Sequence, residues 1–273
     1  MKRIVFTLTA LTLFVNAYAD VQMIVKDGFG GNSTFSSNGK LVRIDGKNMD
    51  GFIVIDYASG EFFMVDLKRN EIMKTSLGQI DITTGAAPLS VSLKDKGGGQ
   101  KIAGYLTRKF EMVADGEACG TIYASRKLLE NKDVSAIFES MRNMQQFSRR
   151  MMGGMSEIMP VCQRANMQMA DAIESSGAPL RVVDNSGKML SEVLSVDTDK
   201  KFAGNHYALP GGMEIIDMSE KMNQAARQTR QMMENMPDMD ELMQQMQQGD
   251  GQMTEEMQQQ LKQLMEQMQQ QQQ

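Results

Sequence analysis

Tryptophan is missing from this 273-residue chain, and histidine occurs once, at His206. A lone histidine is more often structural than catalytic, and it leaves little material for imidazole acid–base chemistry. The Gly-x-Ser-x-Gly turn that exposes a serine nucleophile is absent. So is the Gly-x-x-x-x-Gly-Lys-Ser/Thr phosphate loop, and Gly97-Gly98-Gly99 reads instead as a flexible turn. Asp56 and Asp66 fall near opposite ends of an expected hairpin, where strand-end solvation explains them better than paired acid–base work. These absences point away from an enzyme, and no cofactor is expected.

Cysteine is scarce as well. Cys119 and Cys162 stand too far apart for a metal motif. In an oxidising compartment an isolated pair is more often bridged than free, and the competing reading is two buried thiols. Long apolar runs are also lacking. The run at 4–15 is too short to span a bilayer comfortably, and none of spanning length comes after it, so a membrane-spanning protein is not expected. Lys2 and Arg3 precede that run and Ala17-Tyr18-Ala19 comes after it, which is the layout of a secretory signal cut between Ala19 and Asp20. No cysteine stands just after the cut, which argues against a lipid anchor there. The expectation is a periplasmic or secreted protein. Bases are scarce toward the end: from residue 214 onward there are 11 acids and 4 bases, whereas residues 20–213 hold 23 of each. An acidic tail is repelled by nucleic acid and by anionic membrane surfaces.

What is abundant is methionine, with 28 residues. Its flexible thioether fills grooves and cores that adapt more than they specify, and it is also a good helix former. Residues 21–93 carry strand and turn signals. Segments 21–26 and 40–45 read as strands, and 51–57, 61–67 and 71–74 as an antiparallel meander with short turns. The two central strands of that meander are apolar on both faces, so something must cover the sheet. Residues 76–87 carry no clear signal, and 88–94 alternates as a further strand. The stretch 97–125 reads as two strands joined at Asp115-Gly116.

Asn131 or Asp133 can cap the next element, a helix. Val134, Ile137, Met141, Met144, Met151, Met155, Ile158 and Cys162 then step by three and four along one helical face. Gly153-Gly154 and Pro160 interrupt this stripe, which predicts a kink or two helices. Segments 179–183, 189–196, 202–209 and 213–218 read as returning strands. Residues 222–236 read as an amphipathic helix, and residues from about 237 as a weakly helical, mobile, glutamine-rich tail.

At Lys101-Ile102-Ala103-Gly104-Tyr105, with Lys109-Phe110 shortly after, the chain resembles a bacterial family of exported proteins known as a domain of unknown function and grouped with the LolA-like lipoprotein carriers. Ile53-Val54-Ile55-Asp56, Phe63-Met64-Val65-Asp66 and Leu209-Pro210-Gly211-Gly212-Met213 resemble further segments of that family. Thr107 stands where many members carry cysteine, so a bridge made there in relatives is not available here. The resemblance covers 21–218. It implies an α+β fold, an unclosed antiparallel β-barrel wrapped around inserted helices, in a fold whose carrier members hold acyl chains.

The expected organisation is a signal peptide at 1–19, one α+β domain at 20–218 with its helical insertion at about 131–176, and a methionine- and glutamine-rich helical to disordered tail at 219–273. The leading functional expectation is a hydrophobic small molecule or lipid held between sheet and helix. Ile53, Ile55, Phe63, Val65, Met141 and Met144 are its candidate contacts. One alternative is Cu(I) held by soft thioethers, at Met151, Met152 and Met155 or at Met232, Met233, Met236 and Met239. Another is a protein partner engaged through the tail, although sparse aliphatics (Leu242, Leu261, Leu264) argue against a strong coiled coil.

Overall fold

The computed structural model describes residues 20–47, 49–76, 89–152, 159–221, 223, 224 and 227, with the backbone alone for 149–152 and 169–175. The chain divides into two units after Asn223, and the sheet and its helices belong to the first. The strands are β1 (Asp20–Asp27), β2 (Asn32–Ser37), β3 (Leu41–Gly46), β4 (Gly51–Asp56), β5 (Glu61–Asp66), β6 (Glu71–Ser76), β7 (Val91–Ile102), β8 (Tyr105–Ala114), β9 (Glu117–Ser125), β10 (Ala178–Asp184), β11 (Met189–Lys200) and β12 (Glu214–Asp217). They form one open sheet in the order β12-β6-β5-β4-β3-β2-β1-β11-β10-β9-β8-β7. Every pairing is antiparallel except that of β12 with β6. β1 lies mid-sheet between β2 and β11: β2 to β6 run outward from it on one side, and β7 starts at the far edge of the other so that β8 to β11 return toward it.

Two helices, α1 (Lys132–Met152) and α2 (Val161–Ser176), are inserted between β9 and β10, and a 3-10 turn (Lys127–Glu130) leads into α1. Asn131 begins α1. Its Oδ1 accepts from the backbone N–H groups of Asp133 (2.9 Å) and Val134 (3.1 Å), satisfying donors that a helix start leaves open. α1 lies over β1, β2 and β3, whereas α2 lies over β7 to β10. Val134 and Ile137 of α1 are fully buried against Val21, Met23, Val42, Ile44, Ile53 and Ile55. Each such side chain contributes about 1.5–3 kcal/mol by leaving water. Ala165 of α2 packs into a second cluster with Phe110, Met112, Cys119 and Ile122.

The opposite face of β4 is covered differently. Phe52, Val54, Val65 and Ile72 form a third cluster with Leu41, Phe63, Leu209 and Met213. The segment 201–213 therefore serves as a cover for the face that α1 does not touch. This replaces the strand expected at 202–209. Its backbone closes turns instead, with His206 N–H donating to the Ala203 carbonyl (2.9 Å) and Ala208 N–H to that of Asn205 (3.0 Å).

Two further differences have local causes. The strand β2, Asn-Ser-Thr-Phe-Ser-Ser, has almost no apolar signal, yet Ser36 and Ser37 are fully buried. Ser37, which pairs with Val21 and Val42, is the one on the helix-facing side, where its small side chain leaves room for α1. Gly97-Gly98-Gly99 lies inside β7 rather than turning it, and register shifts between Asp95 and Gly98 and between Gly98 and Lys101 absorb the glycines as bulges. A Cβ at Gly99 would collide with Thr107 Oγ1, so the close approach needs glycine. The reversal comes later, at Ala103-Gly104, where φ is 46° and 88°, as in a primed hairpin turn.

A disulfide joins Cys119 in β9 to Cys162 in the first turn of α2, closing a loop of 43 residues. Closing a loop of this length removes unfolded-state entropy worth about 3–4 kcal/mol. The Cys119→Ala/Cys162→Ala double variant is expected to lose about that much unfolding free energy in urea titration, with its midpoint at lower urea. Coincident urea curves for the oxidised wild type and the variant would contradict this.

Candidate functional site

Beside the buried stripe of α1 runs a second row of residues. Ser135, Phe138, Arg142 and Gln145 step along the helix with Glu139 and Met141 between them, so their side chains share the flank next to Val134 and Ile137. This flank does not close on the sheet. It borders a cleft of 340 Å³ whose floor is Met23 and Val25 of β1, Ser191 and Val193 of β11, and Pro179 and Val182 of β10, with Leu129 at one side. Apart from Met23, the floor is built of short side chains, the valines, serine and proline of β1, β10 and β11. The result is a mostly apolar hollow with polar groups along one wall, a common form for a small-molecule site.

The polar wall is internally paired. Glu139 accepts from Tyr57 Oη through Oε2 at 2.5 Å and from Arg142 Nη2 through Oε1 at 3.0 Å. That hydrogen bond to Glu139, then burial, raises the Tyr57 hydroxyl above its ordinary pKa. Ser135 Oγ donates to the Leu129 carbonyl at 2.8 Å. Gln145 is the exception: its Oε1 is buried and has no hydrogen-bond partner.

Of the six residues expected to contact a ligand, Met141 lines the cleft. Met144 packs on the main core, and Ile53 and Ile55 are buried within it. Phe63 and Val65 lie on the other face of the sheet. The register explains this: Ile53 pairs with Met64 and Ile55 with Phe62, so Phe62 and Met64 share the helix-facing side. Met23, Val25, Phe138, Gln145 and Val193 were not singled out. The spacing of Phe138 and Gln145 carried a signal, since they flank the apolar stripe to which Met141 belongs.

Asp56 and Asp66 cap turns. Asp56 Oδ1 accepts from the N–H groups of Ala58 and Ser59, and Asp66 Oδ1 from those of Lys68 and Arg69. Met151 and Met152 fall where only the backbone is described, and Met155, Met232, Met233, Met236 and Met239 lie outside the described residues. Among the described residues no group of three or more His, Cys, Asp and Glu is placed to hold a metal ion. Among them, too, no helix is long and apolar enough to cross a membrane.

No family model matches the chain, and no curated protein matches it. Solved structures similar to it include an uncharacterized conserved protein from Thermus thermophilus, with TM-score 0.37 and 12% identity over 74% of this chain and 92% of that one. Another is MucB, with TM-score 0.33 and 11% identity over 72% of this chain and 60% of that one. Both superpositions are loose, and the fold and the cleft stand on this chain's own geometry.

The single histidine sits away from the cleft, in the segment that covers the opposite face. Its ring stacks on Phe202 with centroids 3.9 Å apart and planes within 4°, and Tyr207 meets it edge-on at 4.8 Å. Arg43 donates to the His206 carbonyl (2.7 Å) and lies over the Phe52 ring at 3.7 Å, while Tyr207 Oη donates to Asp20 (3.3 Å). Burial, then the nearby Arg43 charge, holds the imidazole below its usual pKa, against the weaker opposing pull of Asp45 and Asp20. The unfolded chain therefore takes up the proton first. The stability linked to His206 is full above the unfolded value of about 6.5 and is lost as pH falls toward the folded one. His206→Phe keeps the stack and removes the titration. Between pH of about 7.5 and about 5.5 the melting temperature of wild type is expected to fall more steeply than that of the variant. Parallel curves would show that the imidazole is not linked to folding.

Proposed function

We propose that this is an exported binding protein, not a catalyst, that holds a hydrophobic ligand between α1 and the sheet. The supporting observation is the cleft itself: Met23, Val25, Phe138, Met141 and Val193 surround 340 Å³ of space beside the main core. Methionine at two of these positions supplies walls that adjust to an alkyl chain. Its volume lies near the lower end of the range for small-molecule pockets, about 300–1,000 Å³, which favours one chain over several. Export rests on the leader-like residues 1–19, and the mature chain on this reading starts at Asp20. Intact mass of the exported protein is expected to correspond to residues 20–273, and retention of 1–19 would overturn that part of the proposal.

Val193 is buried in the cleft floor, whereas its neighbour Leu194 points to the other face and is exposed. Val193→Trp fills the hollow. It is expected to weaken binding of a fluorescent fatty probe at least about tenfold, while Leu194→Trp leaves it unchanged. No binding by wild type, or the same loss in both variants, would count against the cleft as the site.

A further inference from the structure

The hairpin of β7 and β8 carries an excess of positive charge. We infer that it is a docking surface for an anionic phospholipid bilayer, with Leu106 as the side chain that enters the interface. This surface is separate from the cleft and does not depend on what the cleft holds.

Charge comes first. Residues 94–111 hold five bases, Lys94, Lys96, Lys101, Arg108 and Lys109, and two acids, Asp95 and Glu111. Each acid is taken by one base: Asp95 accepts from Arg108 at 2.6 Å, and Glu111 pairs with Lys96 at 2.9 Å. The charges of Lys94, Lys101 and Lys109 are left in excess. Arg126 and Lys127 follow at the end of β9, the next strand, with Glu130 as the acid of that turn. Bases and acids balance over residues 20–213, so the excess is concentrated here. β7 is the last strand of the sheet, with β8 as its neighbour, so its lysines line a margin. Charges more than about 8 Å from a contact are largely screened at physiological salt, so the local sign decides what is attracted.

A lone exposed leucine is ordinary on a protein surface. Leu106 is set apart by its surroundings. Ile102 and Thr107 are buried, and Ala103 and Tyr105 pack on the main core, so the hairpin end is held down while Leu106 stays 78% exposed. Lys101 pairs with it across the hairpin, and Arg108 stands two residues on. An apolar side chain flanked by bases suits the boundary between acyl chains and anionic headgroups. Phe29 is more exposed, at 95%, but its surroundings are balanced: Lys26 and Lys188 are matched by Asp27 and Asp184. A stable protein interface covers about 800 Å² on each side and has an apolar centre. One leucine among bases does not supply that centre, whereas a bilayer accepts a single side chain.

The test uses the disulfide-bonded mature chain and two sets of vesicles, phosphatidylcholine alone and an equal mixture of phosphatidylcholine and phosphatidylglycerol. Bound protein is read by flotation. Each base near an anionic surface is worth about fivefold, so wild type is expected to bind the mixed vesicles at least about tenfold more tightly than the neutral ones. Leu106→Ser and the double variant Lys94→Gln/Lys101→Gln are each expected to weaken that binding about tenfold, and Phe29→Ser to leave it unchanged. All four positions are exposed, so the variants keep the fold. Lysines also protect an open strand edge from pairing. If that were their whole role, the double lysine variant would self-associate in gel filtration and keep its vesicle binding, which would overturn the inference. So would no binding to the mixed vesicles, equal binding to both sets, or the same loss in Phe29→Ser as in Leu106→Ser.

Discussion

Val134 and Ile137 of α1, fully buried against the apolar residues of β1, β3 and β4, fasten the helix to the sheet. Most of the arrangement depends on that contact. It fixes which face of β4 is interior, and the buried Ser37 of β2 leaves room for the helix to make it. A helix held this tightly along one stripe is free to stand off along its flank. Where it faces the valines and serine of β1 and β11 rather than the isoleucines of β3 and β4, space is left over. The cleft thus lies where, Met23 apart, short side chains of the sheet stand under the helix flank.

The same sheet is buried on its other face by a separate device. The segment 201–213 brings Leu209 and Met213 onto Phe52, Val54, Val65 and Ile72, and Arg43 ties it down through the His206 carbonyl and the Phe52 ring. α2 is fastened independently, by its own cluster and by the bond between Cys119 and Cys162. The structure therefore has three covers, and the one that borders the cleft carries no covalent link to the sheet. This leaves α1 as the element whose small displacements would admit a ligand.

Much of this was legible beforehand. The apolar run of β4 demanded a cover for the sheet, and the stripe through Val134 and Ile137 identified the element that supplies it on one face. α2 starts directly after Pro160, as a helix breaker there requires, and Gly153-Gly154 lie outside the described residues. Other features were not legible, for physical reasons. Glu-Phe-Phe-Met-Val-Asp in β5 does not alternate, so only its register against β4 decides that Phe62 and Met64 share the helix-facing side while Phe63 and Val65 face away. β2 carries one apolar residue, Phe35, among polar ones, and a pattern built on apolar periodicity passes over it. The candidate site was seen through Met141 alone, since a cleft forms where the apolar match between two surfaces fails, and that mismatch exists only after they are brought together.

The central claim, that the hollow beside α1 is where a hydrophobic ligand rests, is tested most directly by photo-cross-linking. A palmitoyl probe carrying a diazirine near the chain end would be bound to the mature protein and irradiated, and the labelled peptides identified by mass spectrometry. The account predicts label on residues 138–145 of α1 and on the strand segments that hold Met23, Val25 and Val193. Label confined to the face built by Phe52, Val54 and Ile72, or to the methionines beyond residue 224, would contradict it.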